Sequence, residues 1–127
     1  MRIGVLSDTH DNLMNIQKAV ELFSANGGDR VLLTRRGEGF CSFSDGVCIL
    51  TLGGRRIIVM HYPDVAEDLF RLGDYDLVIH GHNHQARVEG AERKLLNPGT
   101  CSGYLAGKAT VALVDTADLG VALVEIS

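Results

Sequence analysis

The chain opens with three segments that constrain its fold more than any other feature. These are a short apolar run, Arg2–Leu6 ("RIGVL"), an amphipathic stretch, Asp11–Ala25, and a second apolar run, Arg30–Thr34 ("RVLLT"). Leu13, Ile16, Ala19, Val20 and Phe23 recur at helical spacing, and Asn26-Gly27-Gly28 ends the pattern as glycine commonly ends a helix. Strand, helix, strand in that order predicts two parallel strands joined by a crossover, because antiparallel neighbours need only a tight turn.

The rest of the chain adds mostly strands. Arg35–Gly46 ("RRGEGFCSFSDG") has mixed charge and no period and reads as a loop. Val47–Leu52 and Arg56–His61 flank Gly53-Gly54 and predict a hairpin. Pro63 opens a short helix, Asp64–Arg71, which Gly73 ends. Further strands are expected at Leu77–His80, Ala86–Glu89, Lys94–Leu96, Thr110–Asp115 and Val121–Ile126. With 127 residues, no repeat and no linker, this describes one α/β domain over residues 1–127.

Composition narrows the function classes. The net charge is −4 and there is no long basic run, so bulk attraction to nucleic acid or to an anionic membrane is not expected. Trp is absent and aromatics make up 6%, too few for a base-stacking surface. No apolar run approaches the ~18 residues of a membrane span, and the first residues do not read as a signal peptide. Cys41, Cys48 and Cys101 are odd in number with no CxxC, which predicts small buried thiols in a reducing, cytoplasmic setting.

The chemistry gathers at predicted strand ends. Asp8 and His10 follow the first strand in "SDTH", His61 ends "RRIIVMH", and His80, His82 and His84 end "DLVIHGHNH". Open α/β sheets bind ligands outside the carboxyl ends of their strands. In extended backbone, spacing by two would put His82 and His84 on one side, and Gly81 would let the chain turn closely around an ion. Nitrogen and carboxylate donors together suit Mn2+, Ni2+, Zn2+ or Fe2+ better than Ca2+ or Mg2+. Such an ion would lower the pKa of bound water, which is hydrolytic machinery. His80 belongs to the apolar run itself and reads as a hydrogen-bonded core group or a support for the ligands.

These motifs resemble a known family. "MRIGVLSDTHDNLMNIQKAVELF" is similar to the start of the small bacterial and archaeal phosphodiesterase branch of the calcineurin-like metallophosphoesterases. "IIVMHY" resembles that family's THG segment, "LVIHGHNH" its GHxH motif and "LLNPGTCSGYLAG" its NPGS segment. The resemblance implies a β-sandwich flanked by helices and a two-metal site. It implies that Asp8, His10 and His84 hold one metal and that His61 and His82 hold the other. Asn97, in the NPG turn, would have a supporting or structural role. The reaction implied is hydrolysis of a small phosphate ester by metal-bound hydroxide, with Mn2+ the first cation expected.

The sequence departs from that family at one place. The GD and GNxD motifs, which supply a bridging Asp and an Asn ligand, are absent, and "RRGEGFCSFSDG" stands in their place. This predicts a fold shortened by an internal deletion, with one strong metal site and a second left with two histidines and no anion. Two dications ~3.5–4 Å apart repel strongly without a bridging carboxylate. Glu38 or Asp45 is the available substitute, and Arg35 and Arg36 are either phosphate contacts or solvated charges. The alternative is a catalytically degenerate member serving as a protein-interaction module, as a retromer subunit of this fold does. A homo-oligomer could cover whatever the deletion exposes.

Overall fold

The computed structural model describes residues 1–7, 12–28, 30–35, 38–39, 47–103 and 107–126. Asp8, His10, Arg36, Cys41 and Asp45 lie outside them, and at 33–35 and 38–39 only the backbone is described.

Two five-stranded sheets pack face to face with a helix on each outer side. The first has the order β10-β9-β1-β2-β3, from β1 (Arg2–Ser7), β2 (Arg30–Arg35), β3 (Glu38–Gly39), β9 (Thr110–Asp115) and β10 (Gly120–Glu125). The second has the order β4-β5-β6-β8-β7, from β4 (Cys48–Leu52), β5 (Arg55–Val59), β6 (Leu77–Ile79), β7 (Arg87–Glu89) and β8 (Lys94–Asn97). The helices are α1 (Leu13–Ala25) and α2 (Pro63–Leu72). β1 and β2 are parallel, with Val5 opposite Leu32, as the opening strand–helix–strand order requires. β5, β6 and β8 are parallel as well, so their carboxyl ends share one edge. The expected α/β sandwich flanked by helices is the fold observed.

The continuous apolar runs arise because these strands are buried on both faces. In β1, Ile3 and Val5 point into the layer between the sheets, with Leu32, Ile57, Val59, Leu77, Ile79, Leu96, Ala112 and Val114. Leu6 points the other way, against Ala19 and Phe23 of α1. Gly4 shares that outer face, and a Cβ there would run into the Phe23 ring, so glycine is what lets the helix sit down on the strand. On the far side, Ile58 and Val78 turn outward to pack with Met60 and Ala66 under α2.

Several boundaries differ from expectation. α1 starts at Leu13 because Asn12 caps it, its side-chain oxygen accepting from the Asn15 amide at 3.1 Å. The stretch after β2 is not an unbroken loop, since Glu38–Gly39 pairs antiparallel with Thr34 and Arg35. β5 ends at Val59 and β6 at Ile79, so His61 and His80 lie just past the strands. Cys101 is a free buried thiol as expected, but Cys48, also buried, is disulfide-bonded, which corrects the reading of three plain thiols. Among the described residues no helix is long and apolar enough to cross a membrane.

Candidate metal and substrate site

Backbone hydrogen bonds extend the parallel ladder past the strand ends and fix the histidine loop. The Met60 amide donates to the Ile79 carbonyl (3.0 Å), the Gly81 amide to the His61 carbonyl (3.1 Å) and the His80 amide to the Leu96 carbonyl (3.0 Å). His61 and Gly81 are therefore neighbours, although 20 residues separate them in sequence. The two sheets meet here. Ser7, the last residue of β1, forms a parallel bridge with Thr100, and its hydroxyl donates to the Gly99 carbonyl (2.8 Å). The Cys101 amide donates to the Ser7 carbonyl (2.8 Å). The point from which the chain leaves toward Asp8 is thus pinned to the Pro98–Thr100 turn.

Three rings form a nearly equilateral triangle on this edge. His61 and His82 have centroids 5.2 Å apart, His61 and Tyr62 5.3 Å, and Tyr62 and His82 5.3 Å. His61 is buried at its base, while His82 and Tyr62 face solvent.

The backbone under the histidines is not extended, which corrects the expectation that spacing by two puts His82 and His84 on one side. Both have left-handed φ, 77° and 63°, and their environments differ: His82 is exposed and His84 buried. Nor does Gly81 make the turn, for the left-handed positions fall on the histidines themselves. A β-carbon makes that conformation cost about 1–2 kcal/mol per residue, and such strain concentrates at functional sites.

Asparagines hold this turn in place. Asn97 is fully buried, and its Nδ2 donates to Asn83 Oδ1 at 2.7 Å while its Oδ1 accepts from the Gly99 amide at 2.9 Å. Asn83 Oδ1 also accepts from the Gln85 amide at 3.1 Å. His80 is fully buried, and its Nδ1 lies 3.1 Å from the Gly81 carbonyl, which assigns the proton to Nδ1. Arg35 is placed only as the last residue of β2.

Charge at the margin is paired. The Arg87 guanidinium donates to Glu67 at 2.7 Å, tying α2 to β7, and holds that carboxyl below its usual range. Burial pushes the Cys101 thiol up to about 11.

The donor set fits a divalent transition cation, since neutral imidazole is a nitrogen donor such ions accept. Among the described residues, no three His, Cys, Asp or Glu side chains group to hold an ion, and Asp8 and His10 are outside them. Tyr62 and Asn83 were missed by the sequence reading. Asn83 lies inside the quoted "GHNH", and Tyr62 adjoins His61, but nothing in the spacing says that either side chain turns toward its neighbours.

Comparison with known proteins finds related sequences and folds. A family described as the calcineurin-like phosphoesterase superfamily domain matches residues 34–119. Phosphodiesterase MJ0936 of Methanocaldococcus jannaschii is 28% identical over 155 positions, covering 91% of this chain and 93% of its own. The solved structure of an archaeal phosphodiesterase superposes with a TM-score of 0.84 at 25% identity, covering 98% of this chain and 99% of that one. Wild-type Vps29 of Entamoeba histolytica, solved with Zn2+, shares the fold with a TM-score of 0.61 at 15% identity and full coverage of both chains.

Proposed function

The chain belongs to the calcineurin-like phosphoesterase superfamily, and from that premise we propose that it cleaves phosphate diesters at the strand ends around His61 and His82. The family and the fold make it a metal-dependent phosphoesterase. The diester preference is supported by its relatives, a phosphodiesterase of M. jannaschii and an archaeal phosphodiesterase structure. The observation that carries the reading is the pair of imidazoles 5.2 Å apart, delivered by two parallel strands at the edge where the sheets meet.

His61 and His82 would hold one cation, and Asp8, His10 and His84 the other, with Mn2+ the first to try. When bound, a divalent cation supplies Lewis acidity, easing ionisation of water and offsetting charge on the phosphoryl oxygens. The chain's own residues do the rest. The ladder from Gly81 to His61 fixes the two imidazoles relative to each other, and the Asn83–Asn97 link fixes the turn that carries His82 and His84. His80, turned to the Gly81 carbonyl in the core, supports the loop from beneath.

The chain is read as shortened between β2 and β4. Supporting this, the match to the M. jannaschii protein spans 155 positions although this chain has 127 residues, so gaps must open in this chain. Loss of a bridging carboxylate there leaves one cation site stronger than the other. Arg35, the last residue of β2, and Arg36, next to it in sequence, are either phosphate contacts or solvated charges. The substrate is a small phosphorylated molecule rather than nucleic acid or a membrane, in keeping with the net charge of −4. A cytoplasmic location is the expectation from the sequence, and the disulfide at Cys48 counts against it, because such bonds are rare in reducing compartments.

The test is elemental analysis of the purified protein together with hydrolysis of bis(4-nitrophenyl) phosphate, with Mn2+ and after chelation. The expected result is about one tightly held metal per chain and cleavage that chelation abolishes and Mn2+ restores. Well-folded protein that stays silent across Mn2+, Ni2+, Zn2+ and Co2+ would sink the reading and favour an interaction module.

A further inference from the structure

Tyr62 is placed where no folding requirement puts a tyrosine. It occupies the N-cap of α2, and its carbonyl accepts the first helical hydrogen bond, from Ala66 at 3.2 Å. Helix N-caps favour Ser, Thr, Asp or Asn, whose side chains satisfy free amides. Tyr62 makes no such bond, and Pro63 follows it. The residue is 44% exposed, so burial does not account for it either. Tyr75, by contrast, packs on the α2-side core and is covered by the Arg56 guanidinium at 4.9 Å. What Tyr62 does contact is the site: the rings of His61 and His82, each 5.3 Å away.

The geometry points to Tyr62 as a substrate-binding residue whose exposed ring surface stacks on an aromatic substituent of the phosphate ester, a nucleobase or an aryl group. This rests on the proposed site at His61 and His82. The ring adjoins both imidazoles, so a phosphoryl group held beside them leaves its ester substituent next to the tyrosine. An aromatic ring offers a flat, weakly hydrated surface that accepts any base or aryl plane with little sequence preference. One such ring beside the site is a subsite for one substituent, in keeping with a small substrate.

The test is equilibrium binding of phenyl phosphate and methyl phosphate to Mn2+-loaded protein by calorimetry. Wild type should bind phenyl phosphate about 5-fold or more tighter than methyl phosphate, the scale of one stacking contact. Tyr62→Leu should remove that preference and leave methyl phosphate binding within about 2-fold, while Tyr62→Phe keeps it. As a readout that needs no variant, the ring resonances of Tyr62 in protein loaded with diamagnetic Zn2+ should shift on adding phenyl phosphate and not methyl phosphate. The proposal is overturned if wild type shows no preference, if Tyr62→Leu retains it, or if Tyr62→Leu weakens both ligands equally, which would mean the ring acts on the histidines. Hydrolysis of bis(4-nitrophenyl) phosphate is measured in parallel. A preference for phenyl phosphate without hydrolysis would uphold the tyrosine subsite and count against the reaction.

Discussion

Asn97 Nδ2 donates to Asn83 Oδ1 at 2.7 Å, joining the end of β8 to the turn that carries His82 and His84. The same Asn97 receives the Gly99 amide, and Gly99 in turn receives the Ser7 hydroxyl. One chain of hydrogen bonds therefore runs from the histidine turn to the end of β1, across both sheets. Removing a member should be felt along its length, because a buried polar group left without its partner costs about 1–3 kcal/mol. Asn97→Ala is expected to destabilise by about that amount and to weaken metal binding about 10–100-fold, as loss of a ligand-orienting group does. Asn83→Ala should have a smaller effect, since its side chain is nearer solvent. Denaturant melts and metal titrations of both single variants and the double variant check this, and additive losses would show that the link carries no coupling.

His82 carries a conformational cost that glycine would not. With φ at 77° and an exposed side chain, His82→Gly should raise stability by about 1 kcal/mol while removing a candidate metal ligand. Opposite changes in melting temperature and in Mn2+ retention are the expected signature. A variant that is both less stable and fully active would contradict both the strain and the role.

His61 sits buried at the base of the ring triangle, between β5 and α2. His61→Ala should lower phosphodiester hydrolysis by at least about 100-fold, more than loss of a supporting group, and reduce metal content. Activity near wild type at saturating Mn2+ would place the reaction elsewhere.

Gly99 is the tightest point of the Pro98–Thr100 turn. Its φ is 83°, and a Cβ there would run into Thr110 Oγ1, which itself donates to the Pro98 carbonyl at 2.8 Å. Gly99→Ala therefore combines a left-handed alanine with overpacking, together roughly 2–5 kcal/mol of destabilisation. A melt unchanged from wild type would mean the turn relaxes without cost.

Cys101 supplies a pH dependence whose sign follows from its burial. The thiol ionises at about 11 in the fold against 9.0 for the ordinary group. Below the ordinary value both folded and unfolded chains keep the proton, and the stabilisation is complete. As pH rises, the unfolded chain loses its proton first, so stability falls between about 9 and 11. Cys101→Ala should flatten this alkaline fall, and native Cys101 should react with iodoacetamide far more slowly than the unfolded chain. Rapid labelling at pH 8 without unfolding would contradict the burial.

The sequence by itself determined the layering and placed the candidate ligands after apolar segments. Parallel β1 and β2 follow from an apolar run, an amphipathic helix and a second run. The placement of histidines behind β5 and β6 follows from their position after apolar segments, because burial and chain order are local properties that composition records. The family was legible for a related reason: its motifs are contiguous stretches. What only the tertiary structure decided were relations between segments and the backbone's departures from regular form. Extended backbone was the natural reading of "HGHNH", yet hydrogen bonds from Asn97 and the neighbouring strands hold His82 and His84 in left-handed conformations that no local preference favours. The stacking of Tyr62 on His82 likewise depends on two strand ends brought together by pairing of β5 with β6, and residues 20 apart carry no mark of that contact in their spelling.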